Sequence, residues 1–147
     1  MLIYNNGRFS LGSVSFKLPN GIGIDTGSDE ICGYGFHLYA PDKSFSIQID
    51  IKESPNTAHR EIAHNFDGQF SYQLIGEIES ISAGGLNGYK AFYEDKRTYN
   101  EEYAFDLVGC GNYTLLDIYV MIWKDAEYDE KYMKHIVDEL LRSIERE

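Results

Sequence analysis

The sequence predicts an α+β fold: an antiparallel sheet of about six to eight strands with helices packed on its faces. Three observations predict it. From Leu74 onward, apolar residues recur with period two for about fifty residues, interrupted only by short glycine-rich or polar connections. Strands joined so tightly are antiparallel neighbours, because a parallel return needs a crossover of about a dozen or more residues. The chain then closes on an amphipathic helix. Tyr132, Met133, Ile136, Val137, Leu140, Leu141 and Ile144 lie at helical spacing, and Lys131, Lys134, Asp138, Arg142 and Glu145 fill the opposite face. Its apolar stripe needs a platform, which the strands supply. At 147 residues and 43% hydrophobic content, the chain has the size of one domain.

Taken in order, Phe9 to Leu18 reads as an opening strand with Val14, Phe16 and Leu18 on one face, closed by Pro19-Asn20-Gly21. A short strand follows at Gly21 to Asp25. Gly21, Gly23 and Gly27 do not make a phosphate loop, since Ser28-Asp29-Glu30 offers neither a lysine nor a helix N-terminus. Tyr34 to Ala40 and Ser44 to Glu53 read as a hairpin across Pro41-Asp42-Lys43. Its second strand alternates cleanly: Phe45, Ile47, Ile49 and Ile51 share one side, while Ser46, Gln48, Asp50 and Lys52 make a wet one. Ser54-Pro55-Asn56-Thr57 supplies cap chemistry for a helix from about Ala58 to Tyr72, weakened at Asp67-Gly68.

The period-two region divides into Ile75 to Ala83, Tyr89 to Lys96, Glu102 to Val108 and Tyr113 to Trp123, a four-stranded meander. Glycines at 84, 85, 88, 109 and 111 suit its connections, because they accept positive φ. The last strand, Leu115 to Trp123, is apolar on both faces and is expected to be central, with helices flanking the sheet on both sides. Asp125 is the expected cap of the final helix.

Three short motifs carry a family resemblance: Phe16-Lys17-Leu18-Pro19-Asn20-Gly21, Gly88-Tyr89-Lys90-Ala91 at the start of a meander strand, and Leu140-Leu141-Arg142-Ser143-Ile144 in the last helix. Together with the order of elements, they make the chain from about Phe9 to Ile144 similar to the Mog/PsbP-like family, as an uncharacterised bacterial member. The resemblance implies a non-enzymatic binding or assembly role. No catalytic residue is carried across, because the matching positions serve turns and packing.

Composition excludes several functions. With 13 basic against 24 acidic side chains and a formal charge of -11, no segment clusters the cations that nucleic acid requires. An acidic surface steers towards a basic protein partner instead. No apolar stretch approaches the ~20 residues of a membrane span, and Met1 to Phe9 lacks the pattern of a secretory signal, so a cytoplasmic location is expected if Met1 is the native start. Two cysteines, Cys32 and Cys110, are too few for a disulfide framework and have no metal-binding spacing. His59 and His64 lie ~140° apart on a helix and do not form an i, i+4 pair, so no metal or other cofactor is expected.

Two candidate sites remain. Asp117 stands in the middle of an apolar strand, where a carboxylate must be paired, exposed at one face or shifted in pKa. An ion pair with Lys90 or Arg97 is the structural expectation, and a cleft carboxylate the functional one. Twelve tyrosines are also more than a core needs. Tyr93, Tyr99, Tyr103 and Tyr113, interleaved with Glu94, Asp95, Glu101 and Glu102, are expected to form an acidic, aromatic recognition surface at one end of the sheet. The resulting expectation is a protein-binding module, in the manner of a toxin-inhibiting immunity protein or an effector chaperone. The alternative is a small-ligand carrier or enzyme with a carboxylate cleft near Asp117.

Overall fold

The computed structural model describes residues 2–5, 7–19, 23–30, 33–40, 44–68 and 71–146. Their strands are β1 (Leu2–Asn5), β2 (Arg8–Leu11), β3 (Val14–Lys17), β4 (Gly23–Glu30), β5 (Gly33–Tyr39), β6 (Phe45–Lys52), β7 (Gln73–Ala83), β8 (Leu86–Glu94), β9 (Thr98–Asp106), β10 (Leu115–Trp123) and β11 (Glu145–Arg146). The helices are α1 (Ala58–Ala63), continued by a 3-10 turn at His64–Phe66, and α2 (Glu130–Arg142). Two antiparallel sheets result, one in the order β1-β2-β3-β11 and one in the order β4-β5-β6-β10-β9-β8-β7. The α+β class is therefore as the sequence predicts.

Alternation along β6 builds the main core. Phe45, Ile47, Ile49 and Ile51 are all buried, and they join Leu116, Ile118, Val120 and Ile122 of β10, since Ile49 pairs with Ile118 and Ile47 with Val120. Met133, Ile136, Val137 and Leu140 of α2, with Val14 and Phe16 of β3, close this cluster from the other side. Apolar residues on both faces of β10 reflect its central place between β6 and β9. Its second face meets α1, which packs Ala58 and Ile62 against Ala91, Tyr93, Ala104 and Leu115. The sheet is thus flanked by helices on both faces, with α1 over β8 and β9.

Details differ from the sequence reading: a second, four-stranded sheet forms, β4 runs on to Glu30, Leu86–Gly88 belong to β8 rather than to its connection, and β9 begins at Thr98 rather than Glu102. The opening strand is a hairpin, β2–β3, because Gly12 turns with φ +55° and lies so close to Gly109 and Cys110 that no side chain fits there. The first helix stops at a 3-10 turn well before Tyr72, with Gly68 at φ +95°. The final helix is capped by Asp129 rather than Asp125: the Asp129 carboxylate accepts from the Tyr132 amide at 3.0 Å. Ile144 falls beyond that helix, where the chain turns to pair Glu145 and Arg146 with β3. Asp129→Ala is expected to cost about 1 kcal/mol, read as a lower urea midpoint at unchanged slope. The expected turns at 41–43 and Asn20-Gly21, with Cys32, lie outside the described residues. Among the described residues no helix is long and apolar enough to cross a membrane.

Candidate functional site

Strand parity places a row of polar residues on the α1 side of the large sheet. Asp117 and Tyr119 of β10 share that face with Glu102 and Ala104 of β9, since Asp117 pairs with Ala104 and Tyr119 with Glu102. Asp50 of β6 lies across from Asp117 on the other flank. A link of five residues, 53–57, follows β6 and folds α1 back over this row, with Thr57 capping the helix by accepting from the Arg60 amide. The Asp106 carboxylate accepts from the Ala58 amide at 2.9 Å and anchors the helix start to β9.

Under this cover Glu102 and Asp117 are each 0% exposed. The Tyr93 hydroxyl donates to Glu102 Oε1 at 2.9 Å, and the Asn65 side-chain amide donates to the same oxygen at 2.8 Å. Neither oxygen of Asp117, nor Glu102 Oε2, meets a donor of fixed geometry among the described residues. Two groups beside Asp117 have a proton to offer it, the Tyr119 hydroxyl and a protonated Glu102. Electrostatics agree: burial, then the neighbouring Asp117 charge and hydrogen bond, push the Glu102 pKa up to about 10. Burial also raises Asp117, to about 6, against the opposing pull of Glu102, Tyr119 and Lys52. Near neutral pH the two carboxyls therefore hold one proton between them, as two like charges in contact must.

Lys52 balances the remaining charge. Its Nζ lies 2.5 Å from Glu61 Oε1 and 3.7 Å from Asp117 Oδ2, and Glu61 Oε2 accepts from the Asn56 amide group at 3.0 Å. Burial opposes the charge on Lys52, but the Glu61 hydrogen bond and the Asp117, Glu61 and Asp50 charges outweigh it and raise its pKa. Burial likewise opposes the charge on Glu61, while the hydrogen bonds from Lys52 and Asn56 lower its pKa. Desolvation and the adjacent carboxylates raise Tyr93 and Tyr119, so both stay protonated. The partner expected for Asp117 was Lys90 or Arg97. Lys90 instead pairs with Glu79 on the opposite side of the sheet, at 3.6 Å, because strand parity points it away. Nor is Asp117 a cleft carboxylate. An open depression of about 850 Å³, bordered by Tyr72, Glu94, Asp95, Lys96, Arg97 and Lys124, includes neither carboxyl in its lining.

The structure also divides the expected recognition surface. Tyr93, Glu102 and Tyr103 are buried, so they do not belong to an exterior. Tyr93 packs edge-on against Phe66 and Tyr72. Tyr103 lies on the opposite face, next to Glu101, whose pKa is raised by burial. Tyr113 is half-buried against the main core. Asp95 is spent on the β8–β9 turn: its Oδ1 accepts from the Arg97 amide at 2.8 Å and from the Thr98 amide at 2.7 Å, bonds that hold its pKa low. Only Tyr99, with half-buried Glu94 and Glu101, remains on one accessible face. There it meets two residues the sequence reading missed. Ile75, Phe92 and Tyr99 are 45%, 37% and 43% exposed, and the register sets Ile75 beside Phe92, Phe92 beside Glu101, and Glu94 beside Tyr99. This corner lies on the same sheet face as α2.

Lys52, Glu61, Asn65 and Tyr119 were also missed. For Tyr119 the signal was available, since a residue two positions after Asp117 shares its face. The histidines are placed individually: His64 Nδ1 lies 2.7 Å from Asp67, His59 sits edge-on to Tyr89, and His135 approaches Glu139 at 3.7 Å. Cys110 is a buried free thiol with Sγ 3.2 Å from the Leu11 carbonyl. No protein-family model matches this chain, and no curated protein sequence matches it.

Proposed function

We propose that this protein is a cytoplasmic, non-enzymatic binding module, a bacterial member of the Mog/PsbP-like family, that holds a basic protein partner as a toxin inhibitor or effector chaperone would. One observation carries the reading: Ile75, Phe92 and Tyr99 expose apolar area together at one corner of the large sheet, bordered by Glu94 and Glu101. Clustered aromatic and aliphatic area on a polar rim is the composition of a contact surface. Lys90, Lys124 and Lys134 pair locally with Glu79, Glu94 and Glu130, Lys96 and Arg97 stand at the adjoining turn, and the net chain charge of -11 favours a basic partner. The carboxyl pair is 0% exposed, which favours a role at the surface over chemistry at that pair.

The test is capture from the source lysate on immobilised wild type and on Phe92→Ser, at low and at high salt. Basic proteins retained at low salt by wild type, and held roughly tenfold more weakly by Phe92→Ser with unchanged melting, are expected. Equal retention by both forms, or retained proteins that are acidic, would overturn the proposal.

A further inference from the structure

The outer edge of β7 suggests how such a partner is held. β7 ends the seven-stranded order: β8 pairs with one side, and among the described residues no strand pairs with the other. It is also the longest strand, eleven residues, and most of its side chains are exposed. Edges of this kind are normally blunted by lysine, proline, brevity or a bulge, because their free N–H and C=O groups template a further strand. From Gln73 to Ala83 there is no lysine, arginine or proline. A single irregularity at Gly76, φ +77°, separates Gln73–Ile75 from Glu79–Ala83, and the second stretch keeps a regular ladder with β8 over five residues.

Charge selects the occupant. Glu77 and Glu79 are the only ionised side chains on the strand. A second copy pairing antiparallel about Ile78 would set Glu77 opposite Glu79 twice, and like charges directly opposed destabilise a ladder. Two chains of charge -11 also repel at longer range. A segment with Lys or Arg at alternate positions meets both carboxylates. Glu77 makes no ion pair with a described residue, and Glu79 shares only the half-buried Lys90. The segment's intervening apolar residues would fall on the opposite, α1-side face, beside Ile78, which packs against the Ala58 and Ile62 cluster. We infer that β7 takes up an extended, basic segment of the partner as an eighth strand of the large sheet, by backbone pairing with charge selection. This rests on the binding function proposed above and adds its mode.

The probe is a synthetic peptide of alternating lysine and valine, long enough to span β7, with a glutamate–valine peptide as control. Isotope-labelled full-length protein is followed by amide hydrogen exchange. The lysine peptide is expected to slow exchange at alternate β7 amides by roughly tenfold or more at saturation, and the glutamate peptide to leave them unchanged. Glu77→Lys combined with Glu79→Lys, both at exposed positions, is expected to weaken binding of the lysine peptide by roughly tenfold or more. No binding, binding without slowed β7 exchange, or β7 protection that grows with protein concentration in the absence of peptide would each overturn the inference. The last outcome would identify a second copy as the occupant. Capture by wild type and its loss in Phe92→Ser are read separately, so the proposed function stands or falls on its own experiment.

Discussion

Replacing Lys52 with methionine is expected to lower stability by about 2–4 kcal/mol at neutral pH, somewhat below the cost of breaking a fully buried ion pair because the lysine side chain is 28% exposed. Methionine fills the space of the aliphatic stem, so little of the loss is packing. What goes is the one cation described within 4 Å of Glu61 and Asp117. Asp117, at 0% exposure, is then left with only the uncharged hydrogen-bond partners Glu102 and Tyr119. The loss is expected to narrow in acid, since protonating Asp117 and then Glu61 removes the charges that Lys52 offsets. Combining Lys52→Met with Asp117→Asn is expected to recover part of the stability, giving a non-additive double-mutant cycle. Urea denaturation of the four forms at neutral pH and near pH 5 measures this. A loss below about 0.5 kcal/mol, or strict additivity, would show that Lys52 does not hold the charge of the pair.

The outline of this layer is legible in the sequence, and its interior is not. Alternation from Phe45 to Ile51 and from Leu115 to Trp123 reports strands directly, because one buried face imposes period two. The antiparallel meander follows from short connections, and α2 from its stripe. Parity, however, tells only which residues share a face. Glu101 and Glu102 are adjacent and chemically alike, yet one is half-buried beside Tyr103 on the α2 side and the other is sealed against Tyr93. What separates them is where α1 lands, and that depends on the 53–57 link and the Asp106 contact, which are tertiary facts. For the same reason Gln48, Asp50 and Lys52 look like a wet face, although the row runs beneath a helix at its Lys52 end. Asp125 and Asp129 carry the same capping chemistry, and the extended backbone at Asp129 decides between them. Gly12 sits in an otherwise strand-like run, and its turn becomes visible only when Gly109 and Cys110 are seen packed against it.

Glu102→Gln is expected to stabilise the protein, by about 1–3 kcal/mol at pH 7, with a gain that grows as pH rises. The glutamine keeps the acceptor that Tyr93 and Asn65 use and offers a permanent N–H donor to Asp117, the role the shared proton fills in the native residue. In the unfolded chain Glu102 titrates near the ordinary 4.5, whereas in the fold it stays protonated up to about 10. A raised folded pKa means stability fully present below 4.5 and lost progressively as pH climbs through 10. Asp117 adds a smaller slope of the same sign between 3.8 and about 6. The wild type therefore weakens with rising pH across the neutral range, and the variant lacks the larger part of that slope. Thermal melts of both forms between pH 5 and 9 should diverge towards alkaline pH and converge towards acid. Parallel curves, or a variant less stable throughout, would mean that the two carboxyls do not share a proton and that another donor satisfies Asp117.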